Sequence, residues 1–217
     1  MAISKIVAKS VDFQAADGEM DNDYALRIAN AEATDGRSYG LRIDAGSTSD
    51  EAFIVKDHDS SNTLIKIDGY GHITKPKQPA FLAVPASTVT NFSKDGNNTI
   101  AFGTEIFDQN GDFATPNFTA PVTGRYQLNL MVYLYQIQND ATYYFTQIVT
   151  SNRVYMTIID PEGWASANYH GFNSSILADM DASDTAYANV YQAGGTNVST
   201  DIIHDSGGTY FSGYLVA

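Results

Sequence analysis

Three aspartates in the stretch DMDASD form one group of residues in this sequence that could bind a metal ion. Asp179, Asp181 and Asp184 supply carboxylate oxygens, the ligands that calcium prefers in proteins. A second acidic stretch, DQNGD at 108–112, begins like a calcium-binding loop, but Thr119 occupies the position where such a loop needs a bidentate Glu. We therefore expect a turn at 108–112. The three aspartates are the candidate calcium site, and no other cofactor is expected.

Aromatic side chains are the second group of candidates, because their rings stack on sugar faces and anchor partners while losing little side-chain entropy. The stretch PEGWASANYHGF carries the single tryptophan, Trp164, together with Tyr169 and His170 in a Gly-containing loop. The stretch NDATYY adds Tyr143 and Tyr144. We predict that these five residues contact a receptor. The alternative for Trp164, that it packs beneath its own loop, stays open.

No motif selects a catalytic group. Glycoside hydrolysis needs two carboxylates about 5 to 9 Å apart, and an acidic chain offers many pairs without distinguishing one. The run HDS at 204–206 has the residue types of a hydrolase triad, but three adjacent residues cannot take the geometry of a triad. We predict a protein that is not an enzyme. The alternative is a depolymerase or esterase that acts on a bacterial surface polysaccharide.

The composition limits the partners. The 217 residues carry 12 Lys and Arg against 25 Asp and Glu, which gives a net charge of −13, and there is no cysteine. Nucleic-acid binders obtain much of their affinity from basic contacts to phosphate, so we expect no nucleic-acid partner. No stretch approaches the roughly 18 apolar residues of a membrane span, so we expect no membrane insertion.

Short apolar triplets separated by turn residues fill the first part of the sequence. The units ALRIAN, GLRIDAG, AFIVKD and TLIKIDGYG align on Leu26, Leu41, Phe53 and Leu64. Each unit predicts a strand of about five residues that is closed by Asp, Asn or Gly. Because large apolar side chains are few, such a segment becomes stable when several copies wrap around a common axis. We predict a repetitive β shaft at 1–76, with a partly disordered stalk as the alternative.

The residue composition and the length of the predicted strands change after the stretch KPKQPA. Its prolines interrupt a strand ladder, so we predict a linker at 77–80. From Phe81 onward aromatic residues become frequent, and clusters of Gly, Pro, Asn and Asp separate seven or more longer strands. This spacing, without an amphipathic helix, predicts an antiparallel sandwich or jelly roll at 81–217. The predicted fold class is therefore all-β.

Two predicted strands, GRYQLNLMVYLYQ and YFSGYLV, are apolar on both faces. Alternating residues of a strand point to opposite faces, and a sandwich strand normally exposes one polar face. An uncovered aromatic patch on the second face would favour aggregation. We therefore predict that the last strand is central in its sheet and that the second faces form a subunit interface. The predicted interface residues are Met131, Tyr133, Tyr135, Tyr210 and Tyr214.

The stretch NGDFATPNFTAPVTGRYQLNL at 110–130 resembles the core motif of the complement component 1q globular head, a jelly roll related to tumour necrosis factor. The matching positions are Asn110, Gly111, Phe113, Phe118, Pro121, Gly124 and Tyr126. The stretches at 174–190 and 211–216 are similar to two later strands of that family. The resemblance implies a compact homotrimer with the last strand near its threefold interface.

The first half of the sequence is similar to the shaft repeats of bacteriophage tail fibres, which commonly end in a trimeric receptor-binding head. The two resemblances together imply an intertwined trimeric shaft followed by a head that attaches to a bacterial surface polysaccharide or outer-membrane component. They imply a location in the virion, at the tail fibre, after assembly in the host cytoplasm. A secreted ligand of the same superfamily is a further interpretation.

Overall fold

The computed structural model describes residues 43–44, 46–164, 167–204 and 207–217. Most of the predicted shaft therefore lies outside the described residues. Two compact units are present: the first contains Lys66–Ile73 with the described residues up to Ile54, and the second contains Val55–Ile65 and Thr74–Ala217. The boundaries predicted from the sequence, with a shaft at 1–76, a linker at 77–80 and a head at 81–217, stay a prediction.

The third and fourth sequence repeats form the first two strands of a small sheet, in which the strand order is β1-β2-β3. Its strands are β1 (Glu51–Lys56), β2 (Thr63–Asp68) and β3 (Ile73–Thr74). Asp57 closes the turn between β1 and β2, where its carboxylate accepts hydrogen bonds from the Asn62 backbone N–H at 3.0 Å and the Asn62 side chain at 2.6 Å. Asp68 has the same role in the next turn, where it accepts a bond from His72 Nδ1 at 2.9 Å. These turns lie where the sequence has Asp and Gly residues between the apolar triplets.

Two antiparallel sheets, which we call sheet I and sheet II, form the head. Its strands are β4 (Ala80–Val84), β5 (Asn98–Thr99), β6 (Thr104–Asp108), β7 (Phe113–Ala114), β8 (Asn117–Thr119), β9 (Gly124–Ile137), β10 (Ala141–Thr150), β11 (Val154–Ile159), β12 (Ala167–Met180), β13 (Thr185–Gly194), β14 (Asp201–Ile202) and β15 (Tyr210–Leu215). Sheet I has the order β12-β9-β15-β4-β6, with β14 on β9. Sheet II has the order β11-β10-β13-β8-β7, with β5 on β13. The described residues contain no helix.

The strand order is that of a jelly roll, which confirms the predicted fold class. Along the sequence, the long strands β9, β10, β12, β13 and β15 lie alternately in sheet I and sheet II. The shorter strand β11 stays in sheet II with β10, which precedes it. Apart from the pairs β10-β11 and β7-β8, strands that are neighbours in a sheet are therefore separated in the sequence by other strands, as in double-sheet jelly rolls. Strand β15 pairs with β9 on one side and β4 on the other. The central position predicted for the last strand is correct.

One apolar core lies between the two sheets. The inner face of β9 is completely buried, and its residues are Tyr126, Leu128, Leu130, Val132 and Leu134. The Phe81 ring centroid lies 5.0 Å from that of Phe113, 4.7 Å from that of Phe118 and 5.2 Å from that of Phe211. Aromatic pairs at such distances add stability beyond the area they bury. Phe113 and Phe118, which the sequence motif contains, are thus core residues.

Candidate functional site

The outer face of sheet I brings together all five residues predicted to form a subunit interface. Met131, Tyr133 and Tyr135 come from β9, and Tyr210 and Tyr214 come from β15. The two strands are directly paired, so Tyr210 lies opposite Met131 in the ladder. Four of the five side chains are half-buried in the isolated chain, and Tyr214 is 49% exposed. The alternation of residue types was therefore sufficient to place these residues on one face.

Tyr169 joins this face and does not lie in a receptor-binding loop. It belongs to β12, pairs with Tyr135 in the ladder, and is 54% exposed. Its ring centroid lies 4.5 Å from that of Tyr135 and 5.3 Å from that of Tyr133. The loop assignment of Tyr169 and His170 was wrong, because β12 begins at Ala167, earlier than the Gly-containing stretch suggested. Contact of Tyr169 with a receptor stays a prediction. Gly208 leaves room for the cluster, since a Cβ there would come within 2.8 Å of the Tyr133 ring.

An apolar groove of about 620 Å³ continues the same face across β15, β4 and β6. Its large lining side chains are Phe81, Leu82, Val84, Ile106, Phe107, Tyr210 and Tyr214. Ile106 and Phe107 are 58% and 50% exposed on the edge strand β6. These two residues could not be assigned to the face from the sequence, because the stretch TEIFD is too short to show an alternating pattern. The outer face of sheet I thus carries large apolar side chains both in the Tyr169 cluster and at its far edge, and the polar residues Asn129 and Ser212 also line the groove.

Trp164 is half-buried and packs against the core. Its ring stacks on His170, with 4.2 Å between the ring centroids, and its backbone N–H donates to the Pro161 carbonyl at 3.1 Å. The Asn139 side chain donates to the Trp164 carbonyl at 3.5 Å, so the two loops chosen as receptor-binding candidates lie side by side. This packing supports the alternative interpretation of Trp164. Contact of Trp164 and His170 with a receptor stays a prediction.

Tyr144 is a core residue, and its assignment as a receptor contact was wrong. It is 1% exposed, because successive residues of β10 point to opposite faces and Tyr144 takes the inner one. Its hydroxyl accepts a hydrogen bond from the Gln138 N–H at 2.9 Å and shares one with Thr200 Oγ1 at 2.9 Å. Burial raises the pKa of this hydroxyl. Tyr143, by contrast, lies half-buried on the outer face of sheet II.

The carboxylates of the three aspartates proposed as calcium ligands bond to three different side chains: Arg153 for Asp179, Thr123 for Asp181 and Asn152 for Asp184. Asp179 forms an ion pair with Arg153 at 3.0 Å, and the Asp184 carboxylate accepts bonds from Asn152 Nδ2 and the Asp181 N–H, both at 2.9 Å. Across the described part of the chain, no group of three or more His, Asp or Glu side chains is positioned to hold a metal ion. The structure gives the calcium site no support, and that site stays a prediction.

Among the described residues, Asp112 has a carboxyl group with one unpaired oxygen. Its Oδ2 atom is buried without a hydrogen-bond partner among the described residues. Burial, and secondarily the charge of Asp108, raise its pKa. Asp108 itself accepts bonds from three backbone N–H groups, including that of Phe113 at 2.9 Å, in the turn expected at 108–112. Asp108 thus has a structural role. Two residues of the HDS run, Asp205 and Ser206, lie outside the described residues.

No known family model matches the sequence, and no curated protein matches it. Among solved structures, the chain is similar to the globular domain of zebrafish complement 1qA protein, with 15% identity and a TM-score of 0.47 over 64% of this chain and 98% of that chain. It is also similar to murine APRIL at pH 8.0, with 12% identity and a TM-score of 0.48 over 64% of this chain and 100% of that chain. This likeness is one of fold. In the part of the chain that is described, no helix has the length and apolar character needed to cross a bilayer.

Proposed function

We propose that the protein is the trimeric head of a bacteriophage tail fibre, which attaches to a bacterial surface polysaccharide or outer-membrane component without catalysing a reaction. The tail-fibre assignment rests on the repeats in the first part of the sequence and on the motifs of the head. The receptor is a component of the cell surface, and the location is the virion.

The observation that carries the proposal is the apolar outer face of sheet I. A tyrosine cluster at one side and a groove containing Ile106 and Phe107 at the other give this face large apolar areas, whereas a sandwich normally turns a polar face to water. Exposed apolar patches of this kind mark interaction sites. Association of identical chains through this face supports a head in which three copies of each receptor site act together, so that weak contacts add to useful avidity.

The first experiment measures the mass in solution by light scattering. We expect three times the chain mass of 23.5 kDa. A stable monomer at micromolar concentration would contradict the proposal. The second experiment measures adsorption of the labelled protein to a panel of bacterial strains, where we expect saturable binding to some strains and none to others. Absence of adsorption to every strain would remove the receptor-binding function.

The same panel tests the enzymatic alternative. A depolymerase or esterase would release oligosaccharide or acetate from purified surface polysaccharides of the strains that bind the protein. We expect intact polysaccharide after prolonged incubation, with a known depolymerase as the positive control. Time-dependent release at catalytic protein concentrations would replace the adhesin by a tailspike enzyme.

A further inference from the structure

Sheet II has an outer face with an unusual composition for such an acidic protein. The side chains that point outward from β10, β11 and β13 include Tyr143, Phe145, Gln147, Val149, Val154, Met156, Ile158, Tyr187, Asn189 and Tyr191. None of these ten is charged, although the chain as a whole carries a net charge of −13. The two outer faces lie on opposite sides of the sandwich. Association of copies through sheet I therefore leaves the outer face of sheet II accessible.

Three aromatic rings on this face are held parallel before any ligand arrives. Phe145 and Tyr191 are direct partners in the ladder, and their rings stack with centroids 4.6 Å apart and planes 5° from parallel. The Tyr143 ring lies 6.1 Å from that of Tyr191 and is tilted by 19°. Because the rings already restrain one another, little side-chain entropy remains to be lost when a ligand binds to them.

An amide pair lies beside these rings. Gln147 is opposite Asn189 in the ladder, and Asn189, which is 4% exposed, donates from Nδ2 to Gln147 Oε1 at 3.4 Å. Thr99 Oγ1 donates to Asn189 Oδ1 at 2.9 Å and fixes the orientation of that buried amide. Among the described residues, the Gln147 Nε2 group has only the Met156 sulfur as a partner, at 3.8 Å. A thioether is a weak acceptor, so this N–H group can donate to a ligand oxygen.

The spacing along β13 sets the length of the surface. Tyr187 and Tyr191 lie two residues on either side of Asn189, which places each about 7 Å from it along the strand. A ligand on this surface would thus meet an aromatic ring, an amide donor and a second aromatic ring in sequence. A sugar chain has matching features, since the apolar faces of its sugar rings can stack on aromatic rings and its hydroxyl groups can accept hydrogen bonds.

We propose that this surface binds an uncharged glycan chain, with Gln147 as the hydrogen-bond donor and Tyr187, Tyr191 and Phe145 as the apolar contacts. This inference rests on the proposed function and names the ligand class and the site. The net charge of −13 selects against an acidic polysaccharide, because none of the ten outward side chains named above is a cation that could neutralise it. The aliphatic row Val154, Met156 and Ile158 borders the site on β11 and would also suit a protein partner, so the experiment distinguishes the two.

The experiment measures binding of the intact protein, in its native assembly, to immobilised bacterial O-antigen and capsule polysaccharides sorted by charge. Dextran, mannan and galactan are added as uncharged probes and alginate as an acidic probe. We expect binding to one or more uncharged glycans. Gln147→Ala should weaken it about tenfold, as expected for the loss of one well-placed hydrogen bond. Tyr191→Ala should weaken it as well.

The matched control is Gln109→Ala, which removes the same amide from the turn after β6, where Gln109 Nε2 donates to the Lys75 carbonyl at 3.0 Å. Its glycan affinity should stay within about twofold of the wild type. Thermal unfolding and the solution mass of each variant check that the fold is retained. Wild-type affinity in Gln147→Ala, a preference for acidic glycans, or no glycan binding by the wild type would each overturn the inference.

The two proposals fail in different ways. If the protein adsorbs to cells, but protease treatment of the cells removes that binding and uncharged glycans do not compete, a protein receptor is present. The attachment function then stands and the glycan site is wrong. If no cell binds the protein while Gln147-dependent glycan binding is measured, the site stands and the attachment function is wrong.

Discussion

The hydroxyl of Tyr144 joins three separate segments inside the head. It accepts a bond from the Gln138 N–H and shares one with Thr200, whose Oγ1 donates to the buried Gln192 side chain at 3.1 Å. Gln192 Nε2 in turn donates to the Gly194 carbonyl at 3.1 Å and to the Asn197 carbonyl at 3.2 Å. A fully satisfied buried network of this kind specifies one arrangement of the segments it connects. Here it orders the loop that follows β13.

We predict that Tyr144→Phe lowers the free energy of unfolding by about 1–3 kcal/mol, because the Gln138 N–H loses its acceptor while the ring still fills its place. Urea unfolding followed by tyrosine or tryptophan fluorescence measures the change. The control is Tyr143→Phe on the outer face of sheet II, for which we expect a change below about 0.5 kcal/mol. Equal effects of the two substitutions would contradict the role of the network.

Asp57 gives a prediction about pH. The Asn62 backbone N–H and then the Asn62 side chain hold the pKa of the Asp57 carboxyl well below its ordinary value of 3.8. Since the folded-state pKa is lowered, the stabilisation of the turn is fully present above the ordinary value and is lost as the pH falls through the folded-state pKa. A carboxyl titration followed by NMR should show the lowered pKa. Asn62→Ala should raise it only in part, because the backbone N–H remains.

Among the elements, β15 depends on one small residue. A Cβ at Gly213 would come within 2.7 Å of Leu128 and 2.8 Å of Phe81, the residues that it faces on the two neighbouring strands. We predict that Gly213→Ala lowers the free energy of unfolding by about 1–3 kcal/mol through overpacking. The control, Gly96→Ala, adds a methyl group where nothing lies within 4 Å and should change stability by less than about 0.5 kcal/mol. Denaturant midpoints of the two variants provide the comparison.

The strands of the head could be predicted from the sequence because long alternating runs specify both a strand and its buried face. The stretch from Tyr126 to Leu134 and the buried face of β15, which contains Phe211, are clear examples. The side chains of Tyr144 and Tyr169 could not be placed, because each lies near a strand end, where a shift of one residue reverses the face. The groove on β6 was also missed, since it is formed by pairing between segments that are distant in the sequence.

For the whole molecule, the apolar face of sheet I predicts how assembly can be broken. We expect Tyr133→Lys to give a folded monomer of 23.5 kDa, because a lysine in the tyrosine cluster would bring three like charges together at the centre of an assembly. Val154→Lys, on the outer face of sheet II, should leave the mass at that of the proposed trimer. Light scattering gives the masses, and far-UV circular dichroism verifies the fold. A Tyr133→Lys trimer would place the interface elsewhere.

The central position of β15 also governs how the protein is made. Strands β4 and β9 lie on either side of β15, and β15 comes after every other strand of the sheet in the sequence. While the ribosome is still adding residues, both strands keep one hydrogen-bonding edge free, and such edges invite pairing with other chains. The sheet can close only after its last strand has emerged from the ribosome. We therefore expect chains that are terminated before β15 to keep the edges of β4 and β9 unpaired and to be degraded by proteases. Only chains with a completely synthesised head would then persist in the folded state.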